Sequence, residues 1–318
     1  MSLEHQATID HQLARLLSIH YEVAGRRIQH LSPNEARAVS DALSSPSRRA
    51  WQVASIEDRT IPGDAGPIAV RVYHPTPGEP RPLVIFFHGG GWVLGSLDSH
   101  DSIARRLCLE SDSVVASVDY RLAPEHPFPA PVEDAIAATR HLLTHAADFG
   151  GDPERVAVAG DSAGGHLATV AALGTRGDEG PSLAAQYLIY PITDSDFDRD
   201  SMRSNASGML LETEGMRWFW NHFCPDETAR ADWRASPLRA ASLAGLPPTL
   251  VTLAGHDPLF DEGFAYALRL EEAGVPTTVR IAPDLIHGYI SLEDASVRCD
   301  ECTHEDHRTF AALLRGRN

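Results

Sequence analysis

The chain has 318 residues, 43% of them apolar, enough for one large α/β domain or two small ones with a substantial core. It carries 27 Lys and Arg against 44 Asp and Glu, a net charge of −17, which argues against nucleic acid or an anionic membrane as partner and leaves an uncharged substrate unaffected. Four cysteines are no disulfide framework at this length, no apolar run approaches the ~18 residues of a membrane span, and the N-terminus lacks a signal peptide's basic-then-apolar order, so a cytoplasmic protein is expected.

Residues 1–48 are predicted to form two helices, an N-terminal arm ahead of a main domain at 49–318. Ile9, Leu13, Leu16 and Leu17 fall at helical spacing. Ser32-Pro33-Asn34-Glu35 offers an N-cap, a proline at the first helical position and a capping-box glutamate. Eight short β-branched runs then follow, at residues 51–61, 67–75, 82–88, 113–120, 155–160, 186–191, 248–255 and 277–283. The first two alternate and read as antiparallel edge strands. The later ones are almost wholly apolar, as strands covered on both faces are. Helical patterns lie between them, at 99–110, 131–150, 162–174 and 261–274, with another at 297–316. This alternation is the pattern of an α/β fold, a mainly parallel sheet with helices on both faces. One segment breaks it. From about 192 to 238 the chain is first polar and then aromatic, which fits either an insertion that caps the sheet's C-terminal edge together with the arm or plain packing decoration.

The stretch "RVAVAGDSAGGHLATVAALG" carries the chemistry. A buried strand runs into Gly160-Asp161-Ser162-Ala163-Gly164 and then into a helix, the strand–turn–helix setting of a nucleophile elbow. The turn is so tight that only small residues fit around it, and it pushes the Ser162 hydroxyl outward. A serine attacking an ester creates an oxyanion, which needs preorganised donors. "HGGGW" follows the third apolar run and supplies them at Gly90 and Gly91, with Ala163 after the nucleophile as the other. His88 reads as a structural anchor. The glycines fit neither a P-loop, since Ser96 stands where a lysine is needed, nor a dinucleotide fingerprint, since Leu94 takes the third glycine's place.

The elbow predicts an acid and then a histidine later in the chain, each after a strand. Asp257 follows the seventh run and His287 the eighth. His166 and His256 are weaker candidates for the base, Asp161 reads as a local hydrogen-bonding residue, and Asp261 as the charge at the start of the next helix.

At these residues the sequence resembles the hormone-sensitive-lipase-like carboxylesterases of the α/β-hydrolase superfamily. "HGGGW" (88–92), "DYRLAPEHPFPAP" (119–131), "GDSAGG" (160–165), "DPLFDEG" (257–263) and "HGY" (287–289) occur in that family's order. The resemblance implies an α/β-hydrolase fold with an eight-stranded sheet, a helical cap, and hydrolysis of short- to medium-chain carboxylic esters. It supports Ser162, Asp257 and His287 as triad and Gly90, Gly91 and Ala163 as oxyanion hole. It calls for no metal or organic cofactor, and the partner is a small-molecule ester. Tyr289 departs from the family's usual phenylalanine.

Hydrolysis of lactones or amides on the same triad is the alternative reading. A non-catalytic small-molecule receptor on this fold is disfavoured because His287 is present. Neither the natural substrate nor the oligomeric state follows from the sequence, and a homodimer is compatible with it. Cys299, Cys302, His304 and His307 could be taken for a zinc set, but helical spacing turns both thiols inward with Asp306 and Phe310, so no metal is expected. Met216, Phe219, Trp220 and Phe223 form one apolar helical face. Phe219, Trp220 and Trp92 are the expected walls of a short acyl pocket, if that face turns toward Ser162.

Overall fold

The eight β-branched runs become the strands of one sheet. The computed structural model describes residues 7–23, 27–43 and 49–316. The expected arm at residues 1–48 therefore has parts, at 1–6, 24–26 and 44–48, that lie outside the described residues. The strands are β1 (Ser55–Gly63), β2 (Gly66–His74), β3 (Arg81–Phe87), β4 (Val114–Asp119), β5 (Gly151–Asp161), β6 (Ala185–Ile189), β7 (Thr249–His256) and β8 (Thr277–Ile286), in spatial order β1-β2-β4-β3-β5-β6-β7-β8. β1 pairs antiparallel with β2, and β2 with β4; all later pairings are parallel.

Alternation along the inner strands builds two cores. Leu83, Ile85 and Phe87 of β3, with Val156 and Val158 of β5, share one core with residues of α4 (Ala130–Thr144), α5 (Ala163–Thr175), α7 (Thr213–Phe223) and α8 (Phe260–Glu272). Val84 and Phe86, with Ala157 and Ala159, face α1 (His11–Val23), α3 (Asp101–Ser111) and α9 (Val297–Leu314). Each large apolar side chain buried this way contributes about 1.5–3 kcal/mol. Because β3 and β5–β8 are parallel, the loops after them meet at one edge, where ligands of open α/β sheets bind.

The N-terminal helices are held by named contacts. Asp10 caps α1, accepting the N–H groups of Gln12 and Leu13 at 3.1 Å each. Leu13 and Leu17 are buried, while Ile9 and Leu16 pack on them partly covered. α2 (Pro33–Leu43) begins with the expected capping box: Ser32 N–H donates to the Glu35 carboxylate at 2.8 Å, and Glu35 N–H to Ser32 Oγ at 3.3 Å. Arg37 of α2 reaches the carbonyls of Val93 and Ala123 and pairs with Glu125. Trp218 Nε1–H donates to the Leu31 carbonyl at 3.2 Å, joining this segment to α7. Between β6 and β7 the chain forms the short α6 (Asp200–Ser204), α7 and two single 3-10 turns. Among the described residues no helix is long and apolar enough to cross a membrane.

Candidate active site

β5 ends at Asp161 and α5 begins at Ala163, so Ser162 occupies the turn alone. Its φ of 56° and ψ of −116° are strained for a residue with a side chain. Its neighbours explain how the turn closes. A Cβ on Gly164 would run into the Phe87 carbonyl, so only glycine lets α5 start this close to β3. The segment after β6 holds the other side: Ser162 N–H donates to the Ile189 carbonyl at 2.9 Å, and Ile192 N–H to the Ser162 carbonyl at 3.2 Å.

His287 stands directly after β8, and Asp257 directly after β7. The Ser162 hydroxyl lies 2.9 Å from His287 Nε2. His287 Nδ1–H donates to the Asp257 carboxylate at 2.7 Å. The other Asp257 oxygen accepts the Leu259 N–H at 2.9 Å, and Asn205 Nδ2 donates to the Asp257 carbonyl at 3.2 Å. Asp257 is fully buried, while Ser162 and the His287 side chain keep a small exposed surface. The three residues expected from chain order are thus brought into one relay.

Beside Ser162 lies the loop after β3. Gly90 and Gly91 both have positive φ, 112° and 59°. The N–H groups of Gly90, Gly91 and Ala163 find no acceptor among the described residues, so all three stay available to a ligand oxygen. The Asp161 carboxylate receives the Gly89 N–H at 2.9 Å and faces His100 Nε2 at 3.6 Å. Burial pushes this carboxyl up, but the His100 imidazole and the Gly89 N–H outweigh it and hold the group below the usual carboxylate range.

Comparison with known proteins places the chain in a family. Residues 84–291 match the family described as alpha/beta hydrolase fold. The carboxylic ester hydrolase LipN of Mycobacterium tuberculosis is 45% identical over 262 residues, 80% of this chain and 69% of that protein. The chain belongs to the hormone-sensitive-lipase-like carboxylesterases of the α/β-hydrolase superfamily. An ethyl acetate hydrolase of Pseudomonas putida is 38% identical over 75% of this chain and 76% of that protein. Among solved structures, a thermostable esterase from Pseudomonas putida superposes with a TM-score of 0.93 at 35% identity, over 98% of this chain and 99% of that one. An ester hydrolase from the metagenome of Lake Arreo, complexed with a derivative of bipyridine phosphonate, gives 0.90 at 40% identity, over 96% and 99%.

Two of the three expected pocket walls of this α/β-hydrolase are corrected. Trp92 and Trp220 have no exposed surface. The left-handed turn at Gly90, Gly91 and Trp92 directs the indole of Trp92 inward, where it stacks on Phe223 at 4.0 Å and donates Nε1–H to His166 Nδ1 at 3.0 Å. Trp220 packs edge-on against it at 5.1 Å. Both are core beneath the loop, because a buried indole gains most where its whole face is covered. Phe219 keeps 6% exposure, and its ring lies where a Cβ on Gly91 would project.

The remaining histidines near this hydrolase's site are structural by their contacts. His166 accepts from Trp92 and donates Nε2–H to the Arg234 carbonyl at 3.0 Å. His88 donates Nδ1–H to the Gly89 carbonyl at 2.8 Å and stacks on Tyr120. Burial holds both well below the usual imidazole range, at about 3. His256 donates to the Ala7 carbonyl. Asp261 sits in the first turn of α8 and accepts the Ser201 N–H at 2.7 Å. Cys299 and Cys302 pack inward, and His304 and His307 both turn Nδ1 to Glu110. Two residues escaped the sequence reading. Asn205 sits in a polar stretch with no motif, and Tyr190, whose ring packs on His287, looked like an ordinary strand-end aromatic.

Proposed function

We propose that the chain is a serine carboxylesterase that hydrolyses short- to medium-chain esters through Ser162, His287 and Asp257, by way of an acyl-enzyme. The relay from Ser162 Oγ to His287 Nε2 at 2.9 Å and from Nδ1 to Asp257 at 2.7 Å carries this reading. Neutral His287 takes the hydroxyl proton as Oγ attacks the ester carbonyl. Asp257 fixes the imidazole tautomer and stabilises the imidazolium that forms. The N–H groups of Gly90, Gly91 and Ala163 receive the developing oxyanion, a contribution of about 3–4 kcal/mol per well-placed donor. His287 returns the proton to the departing alkoxide, then activates water on the acyl-enzyme. No step calls for a metal or organic cofactor.

Residues 1–48 and about 192–238 act as the cap in this reading, supported by the Trp218–Leu31 and Arg37–Val93 hydrogen bonds. The Phe219 ring against Gly91 limits the room for an acyl chain. The test is kcat/KM on p-nitrophenyl esters from C2 to C16, below their aggregation limits, beside matched lactones and anilides. Specificity should climb with each methylene that fits, about 0.8 kcal/mol apiece, peak at or below C8 and then fall. A maximum at C12 or longer, or faster turnover of lactones or anilides, would refute the proposal.

A further inference from the structure

The imidazole of His287 is held by more than its two hydrogen bonds. The ring of Tyr190 packs against it, centroids 4.5 Å apart and planes at 54°. Tyr190 is buried, and its hydroxyl has no partner among the described residues. Its φ is +34°, a left-handed value that a bulky residue rarely adopts and that clusters at functional sites.

The residues around Tyr190 account for that kink. Ile189 and Ile192 clasp the backbone of Ser162, and Tyr190 N–H donates to the Thr252 carbonyl of β7 at 2.7 Å. One short turn therefore ties the nucleophile to the strand that presents Asp257 and sets an aromatic ring on the histidine between them. Tyr289 stands edge-on behind Tyr190, centroids 5.4 Å apart at 74°. The Tyr289 hydroxyl donates to the buried Asp306 carboxylate of α9 at 2.6 Å, and Arg280 Nε donates to the same group at 2.5 Å. The second ring is thus fixed by a charge-assisted hydrogen bond.

We propose that Tyr190 is a positioning residue whose ring, braced by Tyr289, keeps His287 aimed at Ser162. This rests on the reading of His287 as the base. The need is greatest in the acyl-enzyme. Once Oγ is acylated it has no proton to donate, so the imidazole keeps only its bond to Asp257 while it must orient water. A packed ring face then holds the imidazole plane. The contact is made by the ring and not by the hydroxyl.

The experiment compares Tyr190→Phe, Tyr190→Leu and Tyr190→Met with the wild type. Tyr190→Met refills the volume with a flexible chain should Tyr190→Leu not fold. Steady-state kinetics are read on p-nitrophenyl butyrate, with thermal unfolding and the low-field proton signal of the His287–Asp257 hydrogen bond. Tyr190→Phe should stay within about twofold of wild type and keep the signal. The Leu and Met variants should lose kcat on the order of 10- to 100-fold without a rise in KM, with the low-field signal broadened by exchange. Near-wild-type kcat in Leu or Met, or an equal loss in Phe, would overturn the proposal. His287→Ala separates the two readings. If it is inactive while Tyr190→Leu is unimpaired, this proposal alone fails; if it is active, the reading of His287 fails and takes this proposal with it.

Discussion

The Asp161 carboxylate accepts the Gly89 N–H at 2.9 Å, joining the residue before Ser162 to the loop that carries Gly90 and Gly91. The two glycine-bearing motifs, 72 residues apart, are therefore one mechanical unit. Removing the acceptor should let the loop drift from the position in which its N–H groups converge. Asp161→Ala should lower kcat at least about tenfold while KM changes little, because the loss falls on transition-state contacts. Asp161→Asn keeps an acceptor oxygen and should retain more activity. Kinetics on p-nitrophenyl butyrate, with circular dichroism as a fold check, decide this; two variants with wild-type kcat would contradict it.

Stability should depend on two fully buried histidines, His88 and His166. Burial pushes His88 and His166 down to about 3 in the folded chain, against about 6.5 when unfolded. As pH falls through 6.5 the unfolded chain takes up protons that the folded chain refuses. Stability is therefore fully present above about pH 6.5 and is lost as pH falls toward 3, by up to about 1.4 kcal/mol per pH unit for each histidine. Urea unfolding at pH 8, 6.5 and 5 should show a loss confined to the lower interval. His166→Gln can still accept from Trp92 and donate to Arg234, so it should fold and show a shallower slope. Equal stability at pH 5 and pH 8 would contradict the account.

Local pattern made most of this molecule readable, and tertiary context supplied the rest. β3 to β7 announced themselves because strands covered on both faces are written almost entirely in apolar residues, and β1 and β2 by their alternation. Ser162 and His287 were legible because both stand where a strand ends, and Asp257 follows the same rule. Boundaries were less clear. β5 begins at Gly151 rather than Arg155, since its first residues reach Arg81 through a register shift that no periodicity signals. β8 runs past Pro283 to Ile286, helped by an irregularity opposite Gly255. The aromatic face of α7 was visible as a stripe, but a stripe does not say what it faces. Trp92 went to the core because Phe223 and His166 could cover it, and Trp220 because it packs edge-on against Trp92, and in each case the covering ring comes from another element. Tyr190 was hidden for the same reason. Its role depends on a backbone kink and on a ring 97 positions further along the chain, His287.

The central claim is that Ser162 is the atom donor of the acyl-enzyme. The most direct measurement treats wild type and Ser162→Ala with a p-nitrophenyl alkylphosphonate, reading intact mass, the labelled peptide and ester turnover together. The account predicts one phosphonyl adduct per wild-type chain, on Ser162, formed in step with loss of turnover. It predicts no adduct on the folded Ser162→Ala variant and turnover lower by about 10³-fold or more. An adduct on another residue that abolishes activity, or a Ser162→Ala variant that hydrolyses esters at the wild-type rate, would contradict it.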